Sequence, residues 1–235
     1  MDLTAAPLKP RRRLAEIAFL TVSAKIEEML KNGRKERSDR LTQRKTGAWG
    51  TISQNLLAFA GRQFRMSAEE ARSSRDQNHS DFTYAGVPLL LAAVQSFIIE
   101  YEGTLNLQPL SDELSAPRGL AVLLESRYGV TGDFLVEVCE LIEIRNEIIH
   151  PVPLPPGTPD NWPDYLRPVK RRGLLSTTGD PKADYIMFSQ VASHRLFEWA
   201  VKVTKKIYEA IVYSNPEKVL MFEPYLDYNF QTLFG

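Results

Sequence analysis

The sequence predicts an all-α protein: a helical bundle with an N-terminal helical extension and a long proline-rich loop before the last helix. Three observations carry that prediction. Apolar residues recur at intervals of three and four along most of the chain, the spacing of one helix face. One segment, residues 84–105, is apolar almost throughout and reads as a central helix. The periodic segments end at helix-stopping residues: Asn32-Gly33, Gly129, Pro151 and Asn215-Pro216.

Residues 1–10 read as a loose arm, because Pro7 and Pro10 block a helix. Residues 11–31 read as a helix through Leu14, Ile17, Ala18, Val22, Ile26, Met29 and Leu30. The stretch 34–45 is basic, with Arg34, Lys35, Arg37, Arg40, Arg44 and Lys45. It reads as a phosphate-contacting patch or as a solvated linker, and the lack of an interleaved aromatic favours the linker. Residues 49–64 form a short apolar helix carrying Ile52, Leu56, Leu57, Phe59 and Ala60. Ser67 and Glu70 fit a capping box, residues 69–81 are too polar to pack, and His79 is expected at the surface.

In the central helix, Pro88 suits the first turn. Leu89, Ala92, Ala93, Ser96, Ile99 and Gly103 share a face, and Ser96 and Glu100 are its polar groups. A third element covers 114–128, with Pro117 at its start, and Thr131 reads as the N-cap of the next helix. Eight prolines fall between Pro151 and Pro181, a connection longer than ordinary ones. Within it, Trp162 and Tyr165 either pin the loop or stack on bases, and Lys170-Arg171-Arg172 form a basic run. The last long helix spans 183–213, with His194 and Arg195 expected at its surface, and Asn215-Pro216 ends it. The tail holds Phe222, Tyr225, Tyr228, Phe230 and Phe234, so it is expected to pack on the bundle or on a second subunit. The organisation is therefore 1–80 extension, 81–214 bundle and 215–235 tail.

Bulk properties exclude several classes. A hydrophobic content of 43% and a charged content of 25% are those of a globular protein. Net charge is zero, so no global field draws the chain to nucleic acid, although residues 1–47 hold 12 Lys/Arg against 6 Asp/Glu. No run reaches the roughly 18 apolar residues of a membrane span. Arg11-Arg12-Arg13 precedes an apolar stretch, but Glu16, Lys25, Glu27 and Glu28 follow too soon for a signal peptide. Together with the lone Cys139, read as a core residue, this predicts a cytoplasmic protein. No metal-ligand cluster, glycine-rich phosphate loop or nucleophile elbow is present, and no cofactor is expected.

The most informative segment is 132–150. Phe134, Val138 and Leu141 set an apolar stripe whose next positions are Arg145 and Ile148. A guanidinium on such a stripe requires a carboxylate partner, an anionic ligand or a wet cleft. A second row runs Leu135, Ile142, Asn146, Ile149, with His150 four residues after Asn146. Read structurally, Arg145 pairs with Glu100 and His150 caps the helix before Pro151.

Arg145-Asn146-x-x-x-His150, ending an apolar helix and followed after a loop by a long helix, resembles the Arg-x(4–6)-His motif of the HEPN superfamily. The resemblance covers about residues 84–213. It implies a metal-independent endoribonuclease of the toxin or antiviral-defence kind, with RNA as partner and Arg145, Asn146 and His150 as catalytic residues. It further implies Ser96 or Glu100 as a supporting polar group, a homodimer that brings two His150 side chains into one cleft, and an antitoxin or other regulatory protein. Lys170, Arg171 and Arg172 are the expected RNA contacts. The chain departs from toxins silenced through a tyrosine two residues after the histidine, since Val152 stands there. The alternative is a HEPN-like RNA- or nucleotide-binding scaffold without catalysis.

Overall fold

The computed structural model describes residues 51–74, 78–104, 114, 118–150, 166–176 and 190–235. Among them the architecture is all-α, apart from one isolated antiparallel bridge between His79 and Ser193. The expected 11–31 helix, the basic 34–45 segment, Trp162 and Tyr165 lie outside the described residues, as does most of the proline-rich loop.

α1 (Thr51–Ser73) is one continuous helix. The capping-box reading of Ser67 and Glu70 is corrected: Ser67 is a buried residue inside α1, bonded to His194. Residues 51–73 belong to the same compact unit as the later helices, and α1 packs against the next helix, so this part of the expected 1–80 extension contributes to the bundle core. Leu57, Ala60 and Ala71 are its buried apolar residues.

α2 (Thr83–Thr104) is the central helix. It is apolar on nearly every side, and α1, the motif helix and the last core helix all pack on it. Val87, Leu90, Ala93, Val94 and Ile98 are fully buried. The expectation that no stretch is long enough for a membrane span is corrected: residues Thr83–Gly103, with a mean hydropathy of 1.4, are long and apolar enough to cross a bilayer by length and composition, and half of that stretch is buried inside the bundle. Pro88 is the sixth residue of α2 rather than a first-turn residue, so the Tyr84 carbonyl lacks its usual i+4 donor.

α3 (Gly119–Tyr128) ends on Gly129, whose φ of 67° suits a left-handed cap and whose N–H bonds to the Leu124 carbonyl. α4 (Gly132–Ile149) follows at once, with extended Thr131 at its N-cap position but no side-chain bond from it. α5 (Leu166–Arg171) is a short helix against α4.

α6 (His194–Tyr213) starts eleven residues later than the spacing predicts. Ser193 is its N-cap and accepts from the Leu196 N–H at 3.3 Å. α7 (Pro216–Phe234) is the aromatic tail. Pro216 begins it, and Asn215 caps it by accepting from the Glu217 N–H. Phe222 and Phe230 are buried, whereas Tyr228, also expected to pack, is exposed. The Phe97 and Tyr208 rings stack at 4.3 Å, with Phe222 against Phe97 and Phe230 against Tyr208, so α2, α6 and α7 share one aromatic core.

Candidate functional site

α4 carries the motif, and its apolar residues explain how. Val138, Leu141 and Ile144 are fully buried, and Ile148 nearly so. Arg145 stands on that stripe one turn from the end, where it is only half buried. Its Nη1 donates to Asn146 Oδ1 at 3.1 Å. Among the described residues Arg145 has no carboxylate partner.

Asn146 joins the two other members. Its side-chain oxygen accepts from Arg145, and its main-chain carbonyl accepts from the His150 N–H at 2.7 Å. His150 is the C-cap, with φ −131° and ψ 63°, and its side chain is exposed. The helix therefore ends on an imidazole open to solvent. The set is an orienting amide, a cation that bonds only Asn146 among the described residues, and an imidazole.

The two candidate supporting residues separate. Ser96 is half buried on α2. Glu100 serves α1 instead: Oε1 accepts from the N–H groups of Ile52 and Ser53 at 3.1 and 3.3 Å, and Oε2 accepts from the Ser53 hydroxyl at 2.6 Å. The expected Glu100–Arg145 ion pair is absent, because those bonds satisfy the free amides of the α1 N-terminus, which has no acidic residue of its own.

The basic run divides too. Lys170 and Arg171 are exposed in the last turn of α5. Arg172 is held by protein: its Nη2 bonds the buried Glu140 carboxylate, Glu137 lies 3.9 Å from Nη1, and its guanidinium covers the Trp199 ring at 5.0 Å. With Asp133, Glu137, Glu140 and Pro168, these arginines line an open groove of about 410 Å³. That groove adjoins the N-terminal half of α4. About ten residues, or ~15 Å of helix, separate it from His150.

Two constellations escaped sequence reasoning. Glu102, 2% exposed, accepts from Arg127 Nη1 at 2.6 Å and the Tyr128 hydroxyl at 2.8 Å, and burial together with that carboxylate pushes the tyrosine up. His194, expected at the surface, packs on Phe64 and bonds Ser67 Oγ through Nδ1 at 2.9 Å. Burial lowers its pKa from the ordinary range; Glu198 opposes that shift and Arg72 adds to it. The near neighbours Ser67, His194 and Glu198 suggest a nucleophile triad, but Ser67 is fully buried and Glu198 is 3.8 Å from Nε2. Burial also pushes up the Cys139 thiol, which disfavours the reactive thiolate. Among the described residues no cluster of His, Cys, Asp and Glu is arranged to hold a metal ion.

Comparisons with protein-family models, curated proteins and solved structures give no match to this chain.

Proposed function

We propose that the chain is a metal-independent endoribonuclease of HEPN type, acting as a toxin or phage-defence effector. The observation that carries the reading is the end of α4, where a half-buried arginine without a carboxylate partner among the described residues and an exposed histidine are both bonded to Asn146. RNA brings its own nucleophile, the 2′-hydroxyl next to the scissile phosphate. His150 removes the proton from that hydroxyl as its oxygen attacks phosphorus. The P–O5′ bond breaks, and the leaving oxygen takes a proton from a second acid. The products are a 2′,3′-cyclic phosphate and a 5′-hydroxyl.

Arg145 has five N–H donors. Asn146 accepts from Nη1, and among the described residues nothing bonds the Nε and Nη2 edge, which takes two oxygens of the phosphorane. Asn146 thus sets the plane of the fork and, through its carbonyl, the backbone position of His150. One protomer supplies one such imidazole, so a homodimer with two His150 side chains in one cleft provides base and acid together. A partner protein that silences such an enzyme would cover this helix end.

The test is cleavage of labelled RNA in EDTA by wild type, His150→Ala and Arg145→Ala. Cleavage by wild type alone, with cyclic-phosphate ends, is the expected result. Silence from all three folded dimeric proteins sinks the catalytic reading. A non-catalytic RNA- or nucleotide-binding scaffold predicts instead that His150→Ala binds RNA like wild type and that neither protein cleaves it.

A further inference from the structure

The nuclease reading puts one phosphate at the end of α4, and a bound strand presents others beside it. Glu143, Asn146 and His150 are spaced three and four apart, so they share one face of the helix. That face turns away from the buried Leu141 and Ile144. Arg118 reaches it from the start of α3. Its Nε and Nη2 both donate to Glu143 Oε1, at 3.1 and 3.0 Å. Seven residues separate Glu143 from His150, about 10 Å along the axis.

Two features set this apart from an ordinary surface ion pair. The first is the backbone: Arg118 has φ 61° and ψ 4°, and it is the one non-glycine residue with positive φ among those described. An arginine in the left-handed region costs about 1 kcal/mol, which glycine would avoid. An exposed pair contributes only about 0–1 kcal/mol, so stability alone is a poor reason for the arginine. The second is the geometry of the guanidinium. Its side chain is 70% exposed, yet one carboxylate oxygen holds one edge and fixes its plane. Among the described residues its Nη1 group makes no hydrogen bond, since Nε and Nη2 carry the pair.

We propose that Arg118 is a second phosphate contact for the RNA strand whose scissile phosphate lies at Arg145 and His150, with Glu143 as the residue that orients it. The assignment rests on the nuclease reading and names a subsite of the same face. Arg118 binds a neighbouring phosphate through Nη1, and it contributes to substrate binding rather than to proton transfer.

The test is equilibrium binding of a labelled single-stranded 2′-O-methyl RNA, which lacks the nucleophile, to the full chain over a range of salt concentrations. Each single-strand phosphate contact adds about 0.7 to the slope of log affinity against log salt. Arg118→Gly removes the side chain at a position where glycine suits the backbone, so the variant should fold. It should lower the slope by about 0.7 and raise KM for cleavage with kcat unchanged. Arg118→Gly/Glu143→Gln removes both charges of the pair and should show the same reduced slope. A wild-type slope in that double variant overturns the proposal. If cleavage still depends on His150 in that case, the subsite alone falls. If the wild-type chain binds no RNA, the nuclease reading falls with it.

Discussion

The Glu100 carboxylate closes the N-terminus of α1 through Ser53, whose hydroxyl it meets at 2.6 Å. A carboxylate supplied from another helix does there what an N-cap residue and an acidic first turn do locally. Replacing Glu100 with Gln keeps an acceptor but loses the charge. Replacing Ser53 with Ala removes the shorter bond. Each is expected to cost about 0.5–2 kcal/mol, measured by thermal or urea unfolding. Because the carboxylate is engaged with α1, neither change should alter the rate of the proposed RNA cleavage under conditions where the variants stay folded. A loss of rate in Glu100→Gln without a loss of stability would return Glu100 to the site.

His150 and Arg145 should separate stability from activity. His150 is exposed and ends the helix, so His150→Ala should change stability by less than about 0.5 kcal/mol. If His150 transfers a proton as proposed, its loss should slow cleavage by about 10²–10⁴-fold. Arg145→Lys keeps the charge but not the planar fork, so it should fall well short of wild-type rate while folding normally. Full activity in Arg145→Lys would mean that only charge matters at this position.

His194 gives the fold a pH dependence with a definite sign. Burial holds the imidazole below its ordinary range, Glu198 opposes that and Arg72 adds to it. The N-terminal end of α6 further disfavours a cation there. The unfolded chain then binds the proton more readily, so this contribution to stability is complete above the unfolded value of about 6.5. It is lost as pH falls from there towards the lower folded value. Wild type should therefore lose more Tm between about pH 7.5 and about pH 5.5 than His194→Gln does. Equal losses in the two proteins would show that the folded and unfolded imidazoles titrate alike.

Much of this molecule was legible in the chain, and the parts that were not share a cause. The motif helix came out within one residue, because its apolar spacing is local and His150 with Pro151 ends it. The central helix did as well, since 84–105 is apolar nearly throughout. Ser67-x-x-Glu70 misled because a capping pattern does not reveal whether the chain around it is already helical. Asn215-Pro216 was read only as a stop, yet the same pair caps and starts α7. The partners of Glu100, Arg172 and His194 lie 47, 32 and 127 residues away along the chain. Helix crossings decide such pairs, and no spacing rule reaches them. The chemistry proposed for Arg145 and His150 rests on six residues at one helix end, which is why kinetic variants carry its test.

Asn78 is where those distant segments are stitched together. It is buried, its main-chain carbonyl accepts from the His194 N–H at 2.8 Å, and its Oδ1 accepts from the Ser193 hydroxyl and the Arg195 N–H at 3.1 and 2.9 Å. Its Nδ2 donates to the Leu175 carbonyl at 3.3 Å. Asn78→Ala leaves the Arg195 N–H and the Leu175 carbonyl without this partner, while the Ser193 hydroxyl keeps the Leu174 carbonyl as acceptor; at about 1–3 kcal/mol for each group left unsatisfied, it should be clearly destabilising. Asn78→Asp keeps the acceptor for α6 but presents an oxygen to the Leu175 carbonyl, and it should fall between wild type and Ala. An Asp variant as weak as Ala would locate the main contribution at Leu175 rather than at the α6 N-terminus.

Gly86 of α2 lies directly against the Phe197 ring of α6. A Cβ built there would lie 1.9 Å from Cζ of Phe197, a ring that is itself fully buried. In an open helix Gly→Ala stabilises by up to about 1 kcal/mol, so two opposing effects meet at this site. The overlap is with the body of a packed ring, and relieving it means moving α6 or turning Phe197 out of its rotamer. Overpacking of that kind costs about 1–3 kcal/mol and occasionally more, so the clash should win and Gly86→Ala should lower Tm. Phe197→Leu removes ring atoms and leaves space beside residue 86. In that background Gly86→Ala should cost less than in the wild-type protein, a coupling that a double-mutant cycle by urea unfolding measures directly. Additive losses in the cycle would mean that the two side chains do not compete for the same space and that α2 and α6 stand further apart than the backbone at Gly86 requires.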